Sequence, residues 1–286
     1  MNSMIVSKSK TQFVLNLAIN GMVPMKSMTP YVPISPNEVL ADIEQCMSVG
    51  GFTYIHLHAR DLNGEPTGDA ASYEKFIAVI RERYINMPIC VSCSGRKDPS
   101  FEKRSAVLDI KGDLKPDMAS LTLSPLNFSD TVSVNSRATI IRLAEKMQEN
   151  EIVPELEIFD LGMMNFAEYL ISKGYLKPPY YFNFMLGNIF SAQSKLSHLA
   201  ALLAELPKGA LWSVAGIGQA QISATLLSLS QGGGVRTGIE DTIWFDSDKT
   251  IKARNCDLIE RVHSLASLAD MEIMPCEVFG DFLKSK

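Results

Sequence analysis

Hydrophobic positions along this chain follow two patterns that alternate from one end to the other. Short apolar runs predict buried strands, and apolar residues at helical spacing predict amphipathic helices. The predicted strands are 12–20, 53–58, 88–94, 118–123, 152–159, 180–186, 211–215 and 235–238. A helix follows each strand. The first begins at the capping box 35–38 and ends at Gly50, and the others are 73–84, 101–108, 136–150, 166–173, 194–206, 222–229 and 251–268.

This alternation of strands and helices predicts an α/β fold with parallel strands. Eight such units within 286 residues are typical of a (β/α)8 TIM barrel, so we expect one barrel domain over residues 1–286, with 1–11 as a frayed tail. A doubly wound open sheet is the alternative. The glycine fingerprint of dinucleotide-binding sheets does not follow the first strand, and Gly216 and Gly218 come too late to supply it.

Composition and charge argue against several classes of protein. The net charge is −5 and basic residues form no stripe, so we expect no nucleic-acid partner. No apolar run approaches the roughly 20 residues of a membrane helix, and residues 1–11 do not resemble a signal peptide. The five cysteines have neither disulfide-framework nor zinc-ribbon spacing. We therefore expect a cytoplasmic protein with no membrane partner.

Two histidines lie two residues apart in the second predicted strand. His56 and His58 share one face of that strand, where both imidazoles can bind a single metal ion such as zinc. A catalytic zinc usually has three protein ligands, and Glu240 after the last strand is the favoured third. Glu155 and Glu157 on the fifth strand compete with it, or they orient the ligands by hydrogen bonds.

The other polar candidates lie near the ends of predicted strands, where the active sites of barrel enzymes are found. The third and fourth strands offer hydroxyl and thiol side chains: Ser92, Cys93, Ser94, Ser120 and Thr122. Cys93 is expected in the core or the pocket wall, because His198 and His263 fall within predicted helices and leave no histidine to activate it. Arg236 and Asp241 are close in sequence after the last strand. They form either a functional pair or a structural ion pair.

Taken together, these residues resemble the β-keto acid cleavage enzymes, the family named for 3-keto-5-aminohexanoate cleavage. The most specific pieces are His-Leu-His-Ala-Arg-Asp at 56–61 and Arg-Thr-Gly-Ile-Glu-Asp at 236–241. Further matching pieces run through nearly the whole chain, at 18–21, 34–36, 92–95, 115–121, 126–128, 153–157 and 212–218.

The resemblance implies a TIM barrel with one zinc ion held by His56, His58 and Glu240. It implies that a β-keto acid condenses with acetyl-CoA to give acetoacetate and a new CoA thioester. It also implies that Asp241 is the catalytic base, held by Arg236. From the strand-end positions and the resemblance together, the expected substrate-binding residues are Ser92, Ser94, Ser120, Thr122, Glu157 and Val23. The resemblance also implies a tetrameric assembly, and barrel enzymes commonly form symmetric oligomers. We therefore expect a homotetramer or homodimer, with the loops after Gly21 or Gly187 near an interface.

The sequence departs from the amino-keto-acid members of the family after the first strand. Val23 stands where those members carry a glutamate for the substrate ammonium, and an apolar side chain cannot neutralise a cation. We therefore expect a neutral or apolar β-keto acid to be preferred over a cationic one. Lys26, in the same loop, would instead favour a second carboxylate.

Three other functions are alternatives to this one. A zinc hydrolase of the amidohydrolase type also uses a His-x-His pair but normally needs histidines on later strands. A metal-dependent aldolase or lyase would act on keto acids without CoA. A non-enzymatic metal-binding protein would leave the polar residues on so many strand ends unexplained.

Overall fold

A computed structural model of the protein describes residues 10–128 and 131–285. Its strands are β1 (Thr11–Phe13), β2 (Leu15–Ala18), β3 (Tyr54–Leu57), β4 (Ile89–Val91), β5 (Met118–Thr122), β6 (Leu126–Asn127), β7 (Val132–Ser133), β8 (Val153–Ile158), β9 (Tyr181–Leu186), β10 (Leu211–Gly216), β11 (Gly234–Thr237) and β12 (Met271–Ile273). Its α-helices are α1 (Pro36–Ser48), α2 (Ala70–Arg83), α3 (Phe101–Ser105), α4 (Arg137–Glu149), α5 (Leu161–Ser172), α6 (Leu196–Ala204), α7 (Gln221–Ser230), α8 (Asn255–Leu268) and α9 (Cys276–Lys284).

Eight parallel strands close into a barrel in the order β2, β3, β4, β5, β8, β9, β10 and β11, and β11 pairs with β2 to complete it. Each strand of the barrel is the neighbour of the next barrel strand in sequence, and the main helices surround them. The predicted (β/α)8 barrel is therefore confirmed, and the alternative of an open doubly wound sheet is wrong.

Local sequence signals explain where several helices begin. The Ser35 hydroxyl accepts a hydrogen bond from the Glu38 backbone N–H, and the Glu38 carboxylate accepts one from the Ser35 N–H, as the capping box predicts. Helix α5 begins five positions earlier than predicted, because the Asp160 carboxylate caps it by accepting from the Met163 N–H. Asp160 therefore has a structural role at this strand end.

The C-terminal elements β12 and α9 were not predicted. Strand β12 pairs in parallel with β1, so Thr11 lies in a strand; residues 1–9 of the predicted tail lie outside the described residues. Phe279 of α9 stacks on Tyr54 with ring centroids 5.1 Å apart and meets Tyr181 edge-on at 5.5 Å. Both tyrosines lie at the N-terminal ends of their strands, so α9 covers that end of the barrel and leaves the opposite end for the site.

Across residues 10–128 and 131–285, no helix combines the length and the apolar character needed to cross a membrane.

Candidate active site

A cavity of about 680 Å³ opens at the carboxyl ends of the barrel strands. Its wall combines polar residues from the strand ends with apolar residues from the following loops. Nine residues predicted for the site line it: Val23, His58, Ser92, Ser94, Thr122, Glu157, Arg236, Glu240 and Asp241. The carboxyl ends of parallel strands thus bring residues from both halves of the chain into one site.

Three side chains at the base of this cavity form a compact set of metal-ligand atoms. His56 Nε2 lies 3.3 Å from His58 Nε2 and 3.7 Å from Glu240 Oε2, and His58 Nε2 lies 3.3 Å from Glu240 Oε1. In a tetrahedral zinc site with bonds near 2.0 Å, the ligand atoms lie about 3.3 Å apart. Among the described residues, the buried Glu240 Oε2 finds no hydrogen-bond donor. The set therefore fits a zinc ion with one coordination position open to the cavity.

Glu155 fixes the orientation of the His56 ring from inside the barrel. Its Oε2 lies 2.6 Å from His56 Nδ1, so Nε2 is the ring nitrogen that faces the ligand set. Its Oε1 accepts hydrogen bonds from three buried donors, the side chains of Asn16, Tyr54 and Asn183. Burial alone would raise the pKa of Glu155, but the charges of His56 and Arg236 and these hydrogen bonds hold it at about 2.

The two histidines have different protonation preferences. Burial disfavours a charged His56, yet the carboxylates of Glu155 and Glu240 outweigh it and raise the pKa of His56 to about 9. Burial lowers the pKa of His58 despite the attraction of Glu240. A metal ion at this site would displace any proton from both Nε2 atoms, because the neutral ring is the ligand form.

Glu155 also belongs to a second geometric cluster, with His56 and the Cys90 thiol. All three residues are fully buried, and His56 is the one member that this cluster shares with the first set. Burial raises the pKa of Cys90 well above its ordinary value, so its sulfur stays a protonated thiol, which is a poor metal ligand. This cluster has no open side for a substrate, and the first set is the better metal site.

Arg236 is the centre of a buried network of carboxylates. Its Nε and Nη2 donate to the two oxygens of Asp241, each at 3.1 Å. Nη2 also lies 2.8 Å from Glu240 Oε1, and Nη1 lies 3.5 Å from Glu157 Oε1. Burial and the nearby Glu240 carboxylate raise the pKa of Asp241 and outweigh the opposing charge of Arg236. A carboxylate with a raised pKa, held in one orientation, is suited to accept a proton at neutral pH.

Two glycines allow Glu240 to reach the cavity. Gly238 has φ of +153°, and a Cβ atom there would come within 2.0 Å of the Ala18 carbonyl oxygen. Gly21 has φ of +64°, and a Cβ atom there would meet Glu240 Cγ at 2.5 Å. Larger side chains at these positions would push β11 and the Glu240 side chain away from β2.

The loop that follows β2 is held by hydrogen bonds to the segment directly after β3. Arg60 donates to the carbonyl oxygens of Gly21 at 2.6 Å and Pro24 at 2.9 Å. The Asn20 amide donates to the His58 carbonyl, and its oxygen accepts from the His58 N–H. Val23 of this loop lines the cavity and is 54% exposed. Arg60 thus anchors the loop and does not itself line the cavity.

Other predicted candidates lie away from the cavity wall. Ser120 is buried and accepts a hydrogen bond from the Cys93 N–H at 3.2 Å, so its hydroxyl supports the loop after β4. Cys93 is buried, and burial raises the pKa of its thiol to about 12. His198 on α6 accepts a hydrogen bond from the Gln193 N–H, and His263 on α8 contacts the Gly51 carbonyl, which agrees with their expected packing roles.

Arg96 lines the cavity and was not among the predicted residues. It follows directly after the matching piece 92–95, in the loop that leaves β4. A charged residue in a strand-end loop was the available signal, but its direction depends on a loop conformation that no sequence pattern specifies.

The fold and this cavity are those of a barrel enzyme with its site at the strand ends, where the ligand set could hold a metal ion. The profile of the beta-keto acid cleavage enzyme family matches residues 12–283, and the chain belongs to that family. The matched segment extends from β1 to α9.

Two relatives in this family show which reactions its members are named for. The chain is 32% identical to a 3-keto-5-aminohexanoate cleavage enzyme of Fusobacterium nucleatum, over 92% of this chain and 94% of that one. It is 30% identical to a 3-oxoadipate:acetyl-CoA acetyltransferase of Cupriavidus necator, over 93% and 89%.

The structural similarity is to ObcA in a ternary complex with a C4-CoA adduct and oxalate, with a TM-score of 0.79 and 17% identity over 90% of this chain and 68% of that one. The chain spans 66% of apo ObcA. At this identity the similarity shows the barrel fold alone.

Proposed function

We propose that the protein is a zinc-dependent enzyme that condenses a β-keto acid with acetyl-CoA and releases acetoacetate and a new acyl-CoA. The observation that carries the proposal is the juxtaposition of the His56, His58 and Glu240 ligand set with the Asp241 carboxylate in one cavity. Family membership supports the β-keto acid, and the relative that acts as an acetyl-CoA acetyltransferase supports the co-substrate.

Zinc is the ion that best suits two imidazoles and one carboxylate at these separations. When bound, the ion supplies a Lewis acid that stabilises negative charge on the oxygens of the β-keto acid. Asp241 accepts the proton from the carbon between the keto and carboxylate groups. Arg236 keeps both Asp241 oxygens in place during this transfer, since it donates to each of them.

The carbanion then forms a bond to the acetyl carbonyl carbon and expels CoA as a thiolate. The thiolate adds to the original keto carbon, and the bond between that carbon and the central carbon breaks. The electron pair remains on the acetoacetate fragment, which takes back the proton held by Asp241. Atoms balance, because the acetyl group leaves CoA and the acyl group of the substrate replaces it.

We propose that three hydroxyl groups bind the polar end of the substrate, those of Ser92, Ser94 and Thr122. All three line the cavity. The Thr122 hydroxyl already donates to Glu157 at 2.6 Å, and burial raises the pKa of Glu157 despite Arg236. Glu157 is therefore poised to exchange a proton or a hydrogen bond with a ligand. We place the reaction in the cytoplasm, because all five cysteines are free thiols.

The test is to incubate the zinc-loaded protein with a panel of β-keto acids, with and without acetyl-CoA, and to measure acetoacetate. The proposal predicts acetoacetate only when both substrates are present. Cleavage that proceeds equally well without acetyl-CoA would identify an aldolase or hydrolase and refute the proposal.

A further inference from the structure

Among the described residues, four lysine and arginine side chains line the cavity, and three of them are engaged or exposed. Arg236 is paired with the carboxylates described above. Arg261 donates to the Phe245 carbonyl at 2.6 Å and to Gln221 Oε1 at 3.3 Å. Lys249 is exposed to solvent. These three side chains are poorly placed to select the distal end of a substrate.

Arg96 is the fourth, and it differs from the others. Its guanidinium carbon lies 3.6 Å from the centroid of the Phe128 ring, so a stacking contact holds its plane against the wall. Within residues 10–128 and 131–285 it makes no ion pair and no side-chain hydrogen bond. An arginine stays charged at neutral pH, and its planar donors match the two oxygens of a carboxylate.

Arg96 shares the cavity with the carboxylates of the reacting end but does not contact them. Burial lowers the pKa of Arg96, and the carboxylates of Glu240 and Glu157 oppose that change, so both act on it across the cavity. Neither forms an ion pair with it. A partly buried charge without a close partner is costly unless a ligand of opposite charge completes it.

We propose that Arg96 is a specificity-determining residue that binds a second carboxylate at the distal end of the substrate, so that the enzyme prefers β-keto diacids. This inference rests on the proposed function. It also replaces Lys26 as the source of such a preference, because Lys26 pairs with Glu38 at 2.8 Å and lies outside the cavity wall. Val23 and Arg96 both act against a cationic substrate, the first because it cannot pair with an ammonium and the second because it repels one.

The experiment compares two acids of equal chain length, 3-oxohexanedioate and 3-oxohexanoate, at saturating acetyl-CoA. Arg96→Met removes the charge and keeps a long side chain over Phe128. For this variant we expect kcat/KM to fall on the order of 10²-fold for the diacid and to change little for the monoacid. Lys249→Met is the matched control, and it should leave the ratio between the two acids unchanged.

Two kinetic outcomes would overturn the inference. Equal losses on both acids would show that Arg96 supports the cavity wall and does not select. A raised KM for acetyl-CoA with an unchanged ratio between the acids would assign Arg96 to the CoA phosphates.

Binding measured by calorimetry without acetyl-CoA keeps the inference testable apart from turnover. The protein should bind the diacid more tightly than the monoacid, and Arg96→Met should abolish the difference. If no acid gives acetoacetate, the proposed function fails, yet this binding difference still decides the role of Arg96. Equal binding of both acids to the unmodified protein would refute that role.

Discussion

At the scale of single residues, the site depends on groups that touch no substrate. Glu155 is the clearest case, because its contact with His56 Nδ1 leaves Nε2 as the only ring nitrogen able to face the ligand set. Three neutral donors surround its other oxygen and keep the carboxylate ionised. The charge that orients His56 is thus itself held by hydrogen bonds within the barrel.

The metal assignment gives the first prediction. His56→Ala and Glu240→Ala should each lose bound zinc in elemental analysis, because each removes one of three ligands. Glu155→Gln should weaken zinc binding by about 10- to 100-fold, as expected when a group that orients a ligand is changed. His198→Ala is the control, since His198 lies on α6 and should leave the zinc content unchanged. Undiminished zinc in both ligand variants would contradict the assignment.

The Arg236–Asp241 pair gives the second prediction. Asp241→Asn should lower kcat on the order of 10²-fold or more while zinc content stays normal, because an amide cannot accept the proton. The kcat of Arg236→Ala should fall by a similar factor. The double variant should lose far less activity than the product of the two single losses. Since Arg236 also contacts Glu240 at 2.8 Å, rates are normalised to bound zinc. Independent, multiplicative losses would argue against a shared role.

The sequence predicts the candidate residues only as well as it predicts where the strands end. His56, His58, Glu240 and Asp241 follow or lie in short apolar runs whose ends converge in any parallel barrel. Ser120 shows where this reasoning stops, because strand position alone does not reveal that its hydroxyl is used by the Cys93 backbone. Arg96 shows the converse, a residue whose role depends on the path of a loop and on its contact with Phe128.

At the scale of elements, periodicity predicted the eight barrel strands and most helices, and it failed at long-range pairings. Strand β12 has three residues and forms only because β1, about 260 positions earlier, offers a parallel partner. Helix α9 is stabilised by aromatic contacts of Phe279 with Tyr54 and Tyr181 at the N-terminal end of the barrel. The early start of α5 depends on one capping side chain, which a search for apolar spacing does not detect.

A buried acid between two of the outer helices gives the third prediction. Asp42 on α1 accepts a hydrogen bond of 2.5 Å from Asn255 on α8, and burial raises its pKa to about 6 despite that bond. Because the folded-state pKa lies above the unfolded value, the protonated acid stabilises the fold at low pH. This contribution, about 3 kcal/mol, is lost as pH rises from about 4 through 6.

Asp42→Asn should remove this pH dependence. The free energy of unfolding of the variant, relative to the unmodified protein, should therefore increase by up to about 3 kcal/mol between pH 4 and pH 7. Urea denaturation across this range measures it. Glu44→Gln, exposed on the same helix, is the control and should show no such trend. A constant difference between Asp42→Asn and the unmodified protein would contradict the assigned pKa.

At the scale of the whole molecule, the two ends of the barrel have different roles, one structural and one chemical. Helix α9 and the tyrosine cluster cover the N-terminal end, and the site occupies the other. The loops around the site carry exposed apolar residues, including Ile189 at 73% and Phe190 at 57% exposed after Gly187. Such residues are more typical of surfaces that meet another protein chain than of the rest of a soluble surface.

Assembly gives the fourth prediction. We expect a symmetric dimer or tetramer with the loop after Gly187 at or near an interface. Light scattering should show the oligomer at micromolar concentration, and Phe190→Ser should weaken it. Leu268→Ser, a control at an exposed apolar residue on α8, should leave the assembly unchanged. A monomer at micromolar concentration would refute the prediction.

The most direct test of the proposed reaction follows the acetyl carbons of acetyl-CoA. The zinc-loaded protein is given acetyl-CoA labelled with carbon-13 at both acetyl carbons, together with an unlabelled β-keto acid, and the products are read by NMR. The proposed reaction places the label in the methyl and keto carbons of acetoacetate and leaves the new acyl-CoA unlabelled. Label recovered as free acetate, or acetoacetate that contains no label, would contradict it.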